Sequence, residues 1–331
     1  MFWSPGAGHL IAHTARVNAP GIPVGSATNN DTLEVEWDKE MRFNGRVLQF
    51  EGIPSNRLGN RVEVRYRETT LWCNEMHIHL NRQVLFFDDP SSVPPEPITI
   101  QCAGNVVVHN TQRDPDGRKR SEDRLSVMNL HYDVRRNYFV AEGPGEMSSV
   151  FLGSAQGFSP GNVAGNNVTR NNPAGETLNL LTVWFSNMVE GTLLGDSPKK
   201  VAITGHRVTV VFCPVNAWND RIGRESLSAA RQRGYTLECG RLIIEEMRDP
   251  ANPSQSSFEL TATIDAIIEG SGLWARAQTI RYNQAKSTVV MEGGASVQKT
   301  GQARFDNVSR IVYDIERGAV QMIDVGHGIG F

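Results

Sequence analysis

Long apolar runs are missing from this chain. Nowhere in its 331 residues is there a stretch near the ~18 apolar residues that a membrane-spanning helix needs. A basic excess is missing too. Lys and Arg number 33 against 36 Asp and Glu, a net charge of −3, so the composition does not equip the chain to neutralise phosphates and nucleic acid is not an expected partner. Cys73, Cys102, Cys213 and Cys239 form no C-x-x-C pair, which argues against a zinc site. Four thiols are too few for a disulfide framework at this length and read as buried free cysteines. If the chain is exported, Cys213 and Cys239 are the pair considered for a bridge. Neither a nucleophile elbow, a P-loop nor a dinucleotide fingerprint is present, so no cofactor is expected. The opening Met1-Phe2-Trp3-Ser4-Pro5-Gly6 lacks the basic and apolar regions of an export signal. Its abruptness reads like the interior of a longer protein.

Helix signals are equally scarce. Residues 225–233, closed by Gly234, give the one good helical pattern. Without crossover helices a parallel α/β fold is excluded. What fills the chain instead is short alternating segments between Gly, Asn, Asp and Pro. Leu33, Val35 and Trp37 alternate with Glu34 and Glu36; Val62, Val64 and Tyr66 alternate with charged residues. Further strands are expected at 46–52, 71–80, 84–87, 98–109, 177–186, 201–212, 235–246, 258–268, 274–282 and 288–291, with Gly104-Asn105 as a bulge or turn. Residues 1–30 read as an irregular lead-in, 113–124 as a polar loop, and 153–176, with five Gly and five Asn, as a long loop. The expected division is a lead-in over 1–30, β units over 31–150, the Gly/Asn loop over 151–176 and further β units over 177–331.

One pattern recurs. Residues 273–283 end in Ile280-Arg281-Tyr282-Asn283, and Glu292-Gly293 follows ten residues after the Tyr. Residues 125–133 end in Leu130-His131-Tyr132-Asp133, with Glu142-Gly143 at the same distance. A weaker copy is Ile311-Val312-Tyr313-Asp314. A repeat of strand, polar turn and strand signals a stacked β architecture. Ile280 and Tyr282 share one face of a strand, whereas Leu273, Ala275 and Ala277 have the other parity. Keeping both sets on one core requires a bulge or corner near Gln278-Thr279. The Asp or Asn after the Tyr starts the turn. Glu142 and Glu292, at identical repeat positions, read as part of the turn chemistry and not as a catalytic carboxylate pair.

These residues resemble the OstA-like family, the lipopolysaccharide-transport proteins of the periplasm and outer membrane that include the LptA bridge and the N-terminal domain of LptD. Ala275, Ala277, Ile280, Tyr282, Asn283, Glu292 and Gly293 fall on the family's motif, Tyr313-Asp314 continues it, and 125–143 matches more loosely. The resemblance implies an all-β fold of stacked antiparallel strands, an open β-jellyroll or β-taco, here with one short helix and the long Gly/Asn loop. It implies lipopolysaccharide or a related envelope glycolipid as ligand, held in an apolar cleft without catalysis. It also implies edge-to-edge β-augmentation with itself or with other transport components, and a periplasmic or outer-membrane location. The expected cleft-facing residues are Leu130, Tyr132, Ile280, Tyr282, Val290, Ile311 and Tyr313. The long insertion and the helix depart from the family.

The sharper chemistry is outweighed. His77 and His79 share a strand face without a third ligand nearby, so no metal site is expected. Arg113, Arg118, Lys119, Arg120 and Arg124 are interleaved with Asp114, Asp116, Glu122 and Asp123, the pattern of a solvated loop more than of a headgroup clamp. Two alternatives to a lipid carrier stand: an envelope interaction module on the same fold, and a carbohydrate-active β-helix enzyme, for which strand parity converges no acidic pair.

Overall fold

In the computed structural model, residues 2–13, 32–53, 61–84, 95–114, 116–154, 176–192, 200–248, 256–283, 285–315 and 317–323 are described. The fold is all-β and jellyroll-like: among the described residues, 74% lie in strands, 21 strands join in antiparallel pairing, and there is one short α-helix. In chain order the strands are β1 (Phe2–Pro5), β2 (Gly8–His13), β3 (Thr32–Trp37), β4 (Glu40–Phe43), β5 (Val47–Glu51), β6 (Val62–Tyr66), β7 (Thr69–Cys73), β8 (Glu75–Leu80), β9 (Pro97–Arg113), β10 (Lys119–Asp133), β11 (Tyr138–Glu142), β12 (Gly145–Ser154), β13 (Glu176–Phe185), β14 (Met188–Thr192) and β15 (Lys200–Val215). A 3₁₀ turn and helix α1 (Leu227–Arg233) follow, then β16 (Tyr235–Arg248), β17 (Ser256–Gly270), β18 (Leu273–Asn283), β19 (Thr288–Lys299), β20 (Phe305–Asp314) and β21 (Ala319–Ile323). The chain divides into two compact units.

The first unit holds Met1–Lys119, Asp123–Glu146 and Met188–Lys199. Its chain runs back and forth between two half-sheets. One is β1, β4, β5, β8 and the first half of β9. The other is β2, β3, β6, β7 and the second half of β9. Where the described chain leaves one half for the other, at Gly6, Lys39, Gly52, Asn74 and Gly104, hydrogen bonds tie these points into a row. Gly6 N–H donates to Lys39 O (2.7 Å), Lys39 N–H to Glu51 O (3.1 Å), and Gly52 N–H to Asn74 O (2.8 Å). Asn74 N–H is shared between Ala103 O (3.0 Å) and Gly104 O (3.1 Å). Gly104 and Asn105 both have positive φ, 75° and 52°, which is the expected break inside β9 realised as a corner. Alternation puts Val35, Val62, Met76 and Ile78 inside, and Trp37 of one half packs on Phe50 of the other, ring centroids 5.3 Å apart.

The second unit holds Arg120–Glu122, Met147–Asn187 and Lys200–Phe331. From β15 to β21 it is an uninterrupted antiparallel meander. Register shifts fall at the same level in successive pairs: Thr204/Val208, Glu238/Arg241, Thr263/Ala266, Arg276/Thr279 and Glu292/Ala295. Such a line of bulges bends every strand at one height and lets both parities of β18 face inward. Leu273, Ala275 and Ala277 before it and Ile280 and Tyr282 after it are all buried, as the sequence pattern requires. Gly293 (φ +83°) serves the line twice, because a Cβ there would also come within 2.8 Å of Gln278 Cβ. Helix α1 closes one end of the core: Ala230 and Leu227 pack with Leu180, Trp184, Val211, Cys213 and Ile222. Gly234 stops the helix for a different reason than left-handed capping. Its φ is −159°, and a side chain there would run into Phe212 O.

Several expectations need correction. Residues 1–30 are not wholly irregular, since β1 and β2 occupy 2–5 and 8–13. The expected loop over 113–124 is a tight turn, closed by Asp114 N–H donating to Arg118 O (2.9 Å), with β10 starting at Lys119. The long segment 71–80 is two strands split at Asn74. Val84 is not in a strand, and residues 85–87 and 155–175, the bulk of the Gly/Asn loop, lie outside the described residues.

Candidate functional site

The recurring hairpins are one object locally. In each, the carboxylate or amide oxygen after the Tyr accepts the backbone N–H three residues on: Asp133 from Arg136, Asn283 from Lys286 and Asp314 from Arg317, all at 3.0 Å. Four residues after each Asx comes a residue with positive φ: Asn137 (51°), Ser287 (48°) and Gly318 (62°). An Asx turn with a left-handed exit is what reverses the chain. The two glutamates are not part of it. Glu142 faces Asn129 across the ladder and accepts its side-chain N–H at 2.9 Å. Glu292 lies beside the Gly293-Gly294 bulge, with Arg310 at 3.6 Å and Arg281 at 3.9 Å. Glu142 ends the return strand β11, whereas Glu292 sits at the bulge inside β19, which runs on to Lys299; neither glutamate is in the turn, a correction to the turn reading.

The seven cleft candidates separate into three groups. Ile280, Tyr282, Ile311 and Tyr313 are 0–3% exposed and form inward rows on β18 and β20, the two strands that flank β19 in the second unit. Burial raises the pKa of both tyrosines above the usual phenol value. Leu130 and Tyr132, in the first unit, face the buried Ala141 and Phe139 but are themselves only partly buried. The Tyr132 hydroxyl donates to Asn137 Oδ1 at 3.0 Å. Val290 does not belong with the rest. It pairs with Arg281 and Val312 on the opposite face, and the inward positions of β19 are Val289 and Met291. The five-residue reversal after Tyr282 sets the parity of the return strand, so Met291 and not Val290 stands opposite Ile280.

On the other face of the first unit lies a feature that sequence reasoning saw only in part. Glu75, His77 and His79 alternate with the buried Met76, Ile78 and Leu80. Glu75, His77, Gln101, Ala103, Asn129, His131, Val140 and Glu142 border a dish of about 390 Å³, floored in part by Leu130 and Cys102. His77 Nε2 is 2.6 Å from Glu75 Oε1, and Gln49 Nε2 donates to the same oxygen at 3.2 Å. Burial, and then the nearby His77, His131 and Arg46, push the His79 pKa below the ordinary imidazole value. The His77-His79 spacing was the visible signal; His131 joins them only through tertiary pairing. Among the described residues no group of three or more His, Cys, Asp or Glu is placed to hold a metal ion.

At the 114–118 turn the Arg113 side chain donates to Gly117 O (3.1 Å) and lies 3.5 Å from Glu68, and the backbone N–H of Arg118 donates to Asp114 Oδ1. All four cysteines are buried and free. The Cys213–Cys239 bridge is ruled out by register. Cys239 pairs with Val208, whereas Cys213 lies just past Phe212, the partner of Tyr235. At ~3.3 Å per residue that separates the two by roughly 15 Å, about twice the reach of a disulfide. Burial pushes these thiols up to about 11 and about 12 respectively.

The chain matches no family model, no curated protein and no solved structure.

Proposed function

We propose that this chain is a non-enzymatic binding or transport protein for lipopolysaccharide or a related envelope glycolipid, taking the acyl chains against the inner faces of its stacked ladders. The observation that carries the reading is the apolar inner face at the Tyr132 hairpin of the first unit, where Leu130 and Tyr132 face the buried Ala141 and Phe139 but are themselves partly open. Apolar burial of this kind is non-directional and scales with area, which suits a saturated acyl chain and needs no reacting group. The resemblance of the Tyr-Asx hairpins to the OstA-like family supports the same ligand class. Entry belongs at the copy that is least closed, Leu130 and Tyr132, and not at Ile280, Tyr282, Ile311 and Tyr313.

A second reading, an envelope interaction module without lipid cargo, is favoured by the 0–3% exposure of those last four residues, because a filled interior leaves an acyl chain no room. Native mass spectrometry of the full chain from its source, with and without added lipopolysaccharide, separates the two. The carrier reading expects a co-purifying amphiphile or a stoichiometric adduct after addition. Neither species in either sample would overturn the carrier reading.

A further inference from the structure

The first unit contains two cysteines that the lipid reading does not use. Cys73 is fully buried and Cys102 is 2% exposed. They are 28 residues apart in the intervening chain and on different half-sheets, yet the fold brings them together. Cys73 is the last residue of β7, just before the corner at Asn74. Beyond that corner Glu75 pairs with Ala103 and Met76 with Cys102. Residues that point inward on the two sides of a corner converge, as Trp37 and Phe50 do elsewhere in this unit. Asn74, next to Cys73, donates its N–H to Ala103 O, next to Cys102, so the two buried thiols come together inside the corner, and Cys102 perturbs the Cys73 thiol directly.

We propose that Cys73 and Cys102 close a disulfide when the chain folds in an oxidising compartment, pinning the β7–β8 corner to β9. Two S–H bonds break and one Sγ–Sγ bond forms. The two electrons and two protons pass to a disulfide oxidant, glutathione disulfide or an oxidised dithiol, which leaves as two thiols. The thiolate is the attacking species. The contact with Cys102, and then burial, hold the Cys73 thiol protonated in the folded chain. The exchange therefore runs during folding or local opening, through a mixed disulfide with either cysteine, before the corner closes over it. The second unit has no counterpart, since register keeps Cys213 and Cys239 apart.

The test uses the full chain in two arms: folded protein equilibrated in glutathione buffers of rising oxidised fraction, and reduced, denatured protein refolded in the same buffers. Each sample is acid-quenched, alkylated in denaturant and peptide-mapped without reduction. The expected result, at least in the refolding arm, is one linked peptide joining Cys73 to Cys102, with Cys213 and Cys239 alkylated. The first unit should then unfold at a higher urea concentration in oxidising than in reducing buffer. That difference should vanish in both Cys73→Ala and Cys102→Ala, whichever of the two variants is the less stable. All four cysteines alkylated in both arms, or a link between any other pair, would overturn the proposal.

Discussion

The hairpin around Tyr132 and the hairpin around Tyr282 share their turn and differ in their surroundings. Both reverse through an Asx oxygen holding the third N–H on, at the same 3.0 Å. Both leave the turn through a residue with positive φ. Yet Tyr282 is 2% exposed, whereas Tyr132 is partly open and Met128, on the same strand, is 45% exposed. A repeated motif thus codes the reversal of the chain, and its neighbours decide whether the inner face is sealed. In the second unit the meander continues on both sides of β18; in the first, β11 is followed by the short β14. Sealing comes from the next strands, not from the motif.

The largest test of that difference is truncation of the two tyrosines. Tyr282→Ala should destabilise the second unit by roughly 3–5 kcal/mol, the cost of removing a fully buried aromatic. Tyr132→Ala should cost the first unit less than about half as much. Urea titrations followed by hydrogen exchange, which reports each unit separately, measure both. Equal losses would mean that the two hairpins are equally sealed. A similar contrast holds within one strand pair. Met291→Ala should cost about 2–5 kcal/mol, whereas Val290→Ala, on the outward face, should cost under about 1 kcal/mol. Reversed values would restore Val290 to the inner row.

What the hairpins share is tested by smaller changes. Asp133→Ala, Asn283→Ala and Asp314→Ala each remove one side-chain to backbone hydrogen bond, and each should lower stability by about 0.5–1.5 kcal/mol. A loss confined to one of the three would break the equivalence of the turns. The smallest effect expected is a pH dependence specific to the first unit. His79 titrates below its ordinary value when folded, so the folded state takes up its proton less readily than the unfolded chain. The stability this contributes is present above the ordinary imidazole value of 6.5 and is lost as pH falls below it. The unfolding midpoint of the first unit should therefore drop between pH 7 and 5.5, and His79→Gln should flatten that drop while leaving the second unit unchanged.

Local chemistry was legible in the sequence where it is written in adjacent residues. The parity switch between Ala277 and Ile280 announced the bulge, the Asx after each Tyr announced the turn, and Gly234 announced the end of the helix. Features made by distant residues were not legible. Strands β1 and β2 are hidden behind Gly6 and Gly8, and Gly8 is there because a side chain would collide with the Trp37 indole, a contact no local pattern reveals. Val290 was misplaced because the parity of a return strand depends on turn length, which the sequence leaves one residue uncertain. The dish over Ala103 joins side chains from β8, β9, β10 and β11, of which the sequence shows only the His77-His79 spacing, and the Cys73–Cys102 pair depends on a corner within β9 that has no signature in adjacent residues.

The central claim is that an acyl chain enters beside Tyr132 and not beside Tyr282. It is tested by placing a benzophenone amino acid, close to tyrosine in shape, at one position or the other and irradiating the full chain with lipopolysaccharide. The account predicts a lipid crosslink from position 132 and none from position 282. A crosslink from 282 with none from 132 would contradict it, and silence at both would remove lipid from the inner face altogether.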